Sequence, residues 1–115
     1  HKDLPLLTIG AYEPIHNAIA VMRKFGVSQL PVVDGSKFVG SINDSSLLAQ
    51  LSENPSLRDA EVKVSMQSPF PVVQATDPIN AISKHFNAEN GAVLVELGQG
   101  RYQIITSHDM VSAMS

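Results

Sequence analysis

The chain is written twice. The stretches 13–51 and 77–114 follow one pattern, and placing Ala18-Ile19 on Ala81-Ile82 sets an offset of 63 residues (81 − 18). That offset also carries Val32 onto Val95, Gly35 onto Gly98 and Ile42 onto Ile105, with a single extra residue near His16-Asn17 as the only gap. An internal repeat constrains a fold more tightly than any local motif, because one supersecondary unit must serve both halves. A unit of about 50 residues buries too little surface to be comfortable alone, so the copies are expected to pack on each other as a pseudo-twofold pair.

Each copy has the same grammar. Glu13-Pro14 and Asp77-Pro78 precede an apolar pattern of helical spacing: Ile15, Ala18, Ile19, Met22 and Phe25 in the first copy, Ile79, Ile82 and Phe86 in the second. Proline is tolerated in a first turn and acids favour the positive end of the helix dipole, so both pairs read as helix starts. The apolar runs Leu30–Val33 and Ala92–Val95 read as buried strands. "DGSK" at 34–37 and "GQGR" at 98–101 supply turn residues for a hairpin into a second strand, and Gly98-Gln99-Gly100 is a turn rather than a phosphate loop. A last helix closes each copy through Leu47, Leu48 and Leu51, or Met110, Val111 and Met114. With "LPLLTIG" and "PFPVVQAT" as first strands, the unit is strand, helix, strand, strand, helix. The fold class is α/β: two β-α-β-β-α motifs, residues 1–52 and 69–115, joined by a segment 53–68 in which Asn54-Pro55-Ser56 starts a helical turn. The abrupt termini suggest a fragment of a longer protein.

Composition removes several function classes. With no cysteine, disulfides, thiolate metal sites and cysteine nucleophiles are excluded. Eight Lys and Arg against 11 Asp and Glu, with Arg23-Lys24 the only adjacent basic pair, argue against a nucleic-acid binder. No apolar run approaches the ~18 residues of a membrane span and no signal peptide opens the chain, so no membrane partner and a cytoplasmic location are expected. His16 and His85 lie in the two first helices without the spacing of a metal site.

The chemistry-bearing stretch is "QIITSHDM", 103–110, in which Thr106-x-x-Asp109 stands before an apolar run. One reading is a capping box, in which the Thr side chain accepts from the N3 amide and the N3 acid reaches back. The other is a ligand site, since a helix start offers amide donors and a carboxylate one turn in can accept two hydroxyls. Ser107-His108-Asp109 is not a catalytic triad, because three consecutive residues at a helix start point in different directions. His108 faces solvent or the mouth of a site.

"GVSQLPVVDGSKFVGSIN" and "QIITSHD", within this order of elements, resemble the CBS domain, a motif that occurs in tandem pairs called Bateman modules. "GVSQLPVVD" is most similar to the C-terminal regulatory region of cystathionine β-synthase-like proteins, whose catalytic part is absent here. The resemblance implies a non-catalytic regulatory module, without a covalently bound cofactor, that binds S-adenosylmethionine, AMP or ATP in clefts between the copies. It would modulate an attached catalytic or transport domain, and homodimers through the pair are implied. A ligand-free dimerisation or interaction module is the alternative. In the family a Gly-h-h-Thr-x-x-Asp element, h being apolar, holds the ribose, its Asp taking the hydroxyls. The second copy keeps Thr106 and Asp109, with Gln103 in place of Gly; the first has Asn43 for Thr and Ser46 for Asp. Asn43 still caps a helix, whereas Ser46 cannot offer a bidentate acceptor. The resemblance further implies that Val27, Ser28, Gln29, Leu30 and Pro31 of the first copy face Thr106, His108 and Asp109, Val27 lying on the adenine and Ser28, Gln29 or nearby backbone reading its edge. The reciprocal set, Asn43 and Ser46 with Asn90, Gly91 and Ala92, is impaired, so one competent site is expected.

Overall fold

The computed structural model describes residues 6–86 and 91–114. They form two compact units, one running from Leu7 to Pro69 and the other from Phe70 onward together with Leu6. Each has a three-stranded sheet of its own.

In the first unit the order is β1 (Ile9–Gly10), α1 (Ile15–Phe25), β2 (Gln29–Asp34), β3 (Lys37–Asn43) and α2 (Asp44–Glu53). β2 is central, parallel to β1 and antiparallel to β3. α1 is one-sided as its spacing predicts: Ile15, Ala18 and Met22 are buried, joining Leu30, Val32, Ile42, Leu47 and Val62 in one core. Gly26 ends α1 at φ 65°, a conformation that costs glycine nothing, and the Val27 amide returns to the Met22 carbonyl at 3.1 Å.

The second unit repeats this as β4 (Val72–Gln74), α3 (Ile79–Ser83), β5 (Ala92–Gly98), β6 (Arg101–Thr106) and α4 (Ser107–Met114). Register fixes the equivalence: Ile9 pairs with Val32 and Val73 with Val95, so β1 maps onto β4 one residue further along than β2 onto β5. The extra residue inferred near His16-Asn17 accounts for that step. The core holds Val73, Ile82, Val93, Val95 and Met110, with Phe86, Leu97 and Ile105 packed on it. In the hairpin, Gln99 and Gly100 both have positive φ, 55° and 72°, the handedness that matches the twist of the flanking strands.

Four expectations change. Pro14 and Pro78 are the N-cap residues rather than first-turn residues, and the acids before them serve the turn. Glu13 Oε2 accepts from the Gly10 amide at 3.0 Å and Asp77 Oδ2 from the Gln74 amide at 2.9 Å, tying strand end to helix start in both units. α3 is shorter than its apolar spacing predicts: Ser83 Oγ donates to the Asn80 carbonyl at 3.0 Å, and Lys84 caps the helix before Phe86 is reached. Not every apolar position of the helical pattern is covered: Phe25, Leu48, Ile79 and Val111 are exposed.

The joining segment is part of the first unit. It forms two 3₁₀ turns, Pro55–Asp59 and Val62–Val64, and buries Val62 completely. Ser56 lies inside the first turn, and Asn54 is its N-cap residue without a side-chain cap bond. Farther on, Gln67 and Ser41 exchange backbone hydrogen bonds of 2.8 and 2.9 Å along the edge of β3. Gly40 permits that approach, because a Cβ there would collide with the Met66 side chain and lie 2.8 Å from the Gln67 carbonyl oxygen.

Candidate functional site

Both helix starts named by the sequence are built alike. Each hairpin delivers its last strand residue, Asn43 or Thr106, directly into the following helix. Asn43 lies opposite Gln29 and Thr106 opposite Ala92. The first helical amide then reaches back: Asp44 donates to the Ser28 carbonyl at 2.9 Å and Ser107 to that of Gly91 at 3.4 Å. Within each unit, therefore, Val27–Gln29 or Gly91-Ala92 sits at the foot of the helix start of that same unit.

In the second unit Thr106 and Asp109 form a capping box. The Asp109 carboxylate oxygen Oδ2 accepts from the Thr106 amide at 2.9 Å and from the Thr106 hydroxyl at 3.0 Å. Thr106 Oγ1 in turn accepts from the Asp109 amide at 3.3 Å. The capping reading is thus realised, and it does not exhaust the carboxylate: all these bonds use Oδ2, and Oδ1 has no hydrogen-bond partner among the described residues. Ser107, His108 and Asp109 are exposed while Met110 is buried and anchors the helix. The box turns a charged acceptor outward on a fixed backbone, the preorganisation that binding a neutral diol requires.

The first unit has the same scaffold and different chemistry. Asn43 Oδ1 accepts from the Ser46 amide at 2.8 Å, and its Nδ2 donates to Gln67 Oε1 at 2.9 Å. The Ser46 hydroxyl accepts from Gln50 Nε2 at 3.0 Å and from Gln67 Nε2 at 3.5 Å. No carboxylate occupies the position equivalent to Asp109, and the hydroxyl there is already engaged. Sequence reasoning singles out neither Gln50 nor Gln67: Gln67 is distant along the chain from Ser46, and Gln50, one turn on, is an ordinary polar residue of a helix face.

Of the segment 27–31, Val27 and Gln29 are half-buried and Ser28 is exposed, so all three can meet a ligand. Leu30 and Pro31 cannot offer side chains. Both are fully buried, Leu30 within the core, so only their backbone is left to offer a ligand. Ala92 is likewise completely buried and has only its backbone to offer, while Gly91 is exposed. Asn90 lies outside the described residues. Val27 and Ser28 also line a groove of about 650 Å³ between α1 and α2, with Ile19, Leu47, Leu48 and Arg23 among its walls. Among the described residues no group of three or more His, Asp or Glu could hold a metal, and no helix is long and apolar enough to cross a membrane.

Comparison with known proteins agrees with this architecture. Residues 2–53 match the family model of the CBS domain. Over 96% of its length the chain superposes on 90% of a CBS-domain-containing protein from Agrobacterium tumefaciens, with a TM-score of 0.81 at 19% identity. It also matches the CBS domain of a CBS-domain-containing membrane protein from Sphaerobacter thermophilus, with a TM-score of 0.72, 19% identity, and 95% of this chain on 82% of that one. A third match is CBSX2 in complex with AMP, with a TM-score of 0.73, 21% identity, and 95% of this chain on 87% of that one. At these identities the structures establish the fold, which is that of CBS-domain pairs.

Proposed function

We propose that this pair of CBS-type units is a regulatory module that binds one adenosine-containing ligand per chain. CBS domains commonly bind adenosine ligands and regulate partners, and AMP is the ligand present in one structure of the same fold. The observation that carries the reading is the asymmetry between the units. Asp109 holds one carboxylate oxygen in a capping box and keeps the other available, whereas the equivalent Ser46 is engaged by neighbouring amides. On the second unit Thr106 and Asp109 are the candidate ribose contacts, with His108 exposed beside them; on the first unit Val27, Ser28 and Gln29 are the candidate adenine contacts. Asn43 and Ser46 on the first unit, and Gly91 and Ala92 on the second, are the weaker candidates, since neither pair offers a free carboxylate.

Regulation follows if the ligand binds two arrangements of the carrier protein unequally, since a ligand with equal affinity for both shifts nothing. The carrier is an attached catalytic or transport domain in a longer protein; a cystathionine β-synthase-type enzyme is the candidate that "GVSQLPVVD" favours. Calorimetric titration with AMP, ATP and S-adenosylmethionine tests the reading: saturable binding of at least one at one per chain supports it, and no heat with any of the three refutes it.

One observation favours the alternative, a dimerisation or interaction module. Leu48 and Val111 occupy equivalent positions of α2 and α4 and are 69% and 67% exposed, so the same apolar position is left uncovered in both units. Large exposed apolar residues recurring at one structural position mark an interaction surface better than scattered ones do. The two functions are compatible within a homodimer.

A further inference from the structure

We infer that Gln67 closes the first unit to the ligand, acting as a built-in occupant of the polar groups at the start of α2. The inference rests on the reading of Thr106 and Asp109 as the ribose-binding pair. Alternation along β3 puts Ser41 and Asn43 on one face of the strand. The backbone of Gln67 is held against Ser41 by hydrogen bonds in both directions, 2.9 and 2.8 Å, so its side chain starts from a fixed point beside Asn43. Its carboxamide presents an acceptor and a donor together: Oε1 takes the Asn43 Nδ2 proton at 2.9 Å, and Nε2 donates to Ser46 Oγ at 3.5 Å. Gln50 completes the closure by donating to the same Ser46 hydroxyl at 3.0 Å and to the Ser65 carbonyl at 3.3 Å.

The groups satisfied in this way are those a ribose would need in the first unit. A ligand entering there must break the Asn43–Gln67 bond and displace a side chain whose backbone cannot withdraw. The missing carboxylate is therefore one of two barriers. The carboxylate introduced by Ser46→Asp would meet the Gln67 amide before any ligand did, whereas the single bond from Gln50 would leave it acceptor capacity for a ligand. Gly40 makes the device possible by letting residues 66 and 67 lie against β3.

AMP titration of the wild-type chain, Ser46→Asp, Gln67→Ala and the double variant separates the barriers. The expected stoichiometries are one, one, one and two per chain. Two in Ser46→Asp alone, or one in the double variant, would overturn the inference. Should the wild type bind no AMP, the reading of the second unit fails, and the lock is judged by hydrogen exchange of the Asn43 side-chain amide. Gln67→Ala is expected to speed that exchange roughly tenfold, about what one net hydrogen bond is worth. Unchanged exchange overturns the lock whatever the ligand does.

Discussion

Removing the cap side chain of each unit should cost stability in both, by amounts the hydrogen bonds set. Asp109→Ala deletes two bonds to an exposed carboxylate, 2.9 and 3.0 Å, and leaves the Thr106 hydroxyl free to accept from the residue-109 amide. With half of the box retained, a loss near the middle of the capping range is expected, about 1 kcal/mol. Asn43→Ala removes the only side-chain acceptor for the Ser46 amide, at a half-buried position, together with the Gln67 contact. It belongs at the upper end, about 2 kcal/mol. For a chain of this size each 1 kcal/mol lowers Tm by about 4 °C, so the expected decreases are about 4 and 8 °C. Thermal and urea denaturation followed by far-UV circular dichroism measure the Tm and the free-energy loss. The two caps share no hydrogen-bond partner, so the double variant should lose the sum within about 0.5 kcal/mol. A Tm unchanged in Asp109→Ala would refute the capping box, and a smaller loss in Asn43→Ala than in Asp109→Ala would refute the ranking.

Other substitutions probe other parts of the account. Leu30→Ala removes a fully buried core side chain and should cost about 2–5 kcal/mol, whereas Ser28→Ala at its exposed neighbour should stay within about 0.5 kcal/mol; thermal melts distinguish them. Gly40→Ala puts a methyl group against Met66 and the Gln67 carbonyl and should cost about 1–3 kcal/mol, with faster exchange of the Ser41 and Gln67 amides. Gln99→Gly relieves a positive φ in a residue with a Cβ and should raise stability by about 0.5–1 kcal/mol in the same melts. Leu48→Glu, at an exposed position, should leave Tm within about 2 °C of wild type while weakening any self-association seen by sedimentation.

Much of this was legible in the sequence, for reasons that individual residues make plain. The duplication and its one-residue gap survive down to register, because the same alternation of apolar residues must face a core in each copy and a slip of one would turn it outward. Thr106 and Asp109 were legible because capping is a local contract over three residues. The burial of Leu30 and Pro31 is legible too: a continuous apolar run signals a strand buried on both faces, which leaves only backbone to offer a ligand. The joining segment escaped because 3₁₀ turns are too short to show a period, and Val62 is one buried anchor among polar residues. Gln67 escaped because its partners, Ser41 and Asn43, are distant along the chain and only the folded edge of β3 brings them together. Leu48 and Val111 fit helical periodicity, which places apolar residues on a face without saying what covers that face.

On the proposed reading, capping belongs to both units and ribose binding to one. Its most direct test is the AMP affinity of Asp109→Ala beside that of Asn43→Ala, measured by calorimetry at a temperature where both are folded. Two hydrogen bonds to a charged acceptor are worth about 3–6 kcal/mol, so Asp109→Ala should weaken binding by a factor of about 100 or more. Asn43→Ala, although the more destabilising of the two, should leave the affinity unchanged within about twofold. Equal losses in both variants, or an unchanged affinity in Asp109→Ala, would contradict the account.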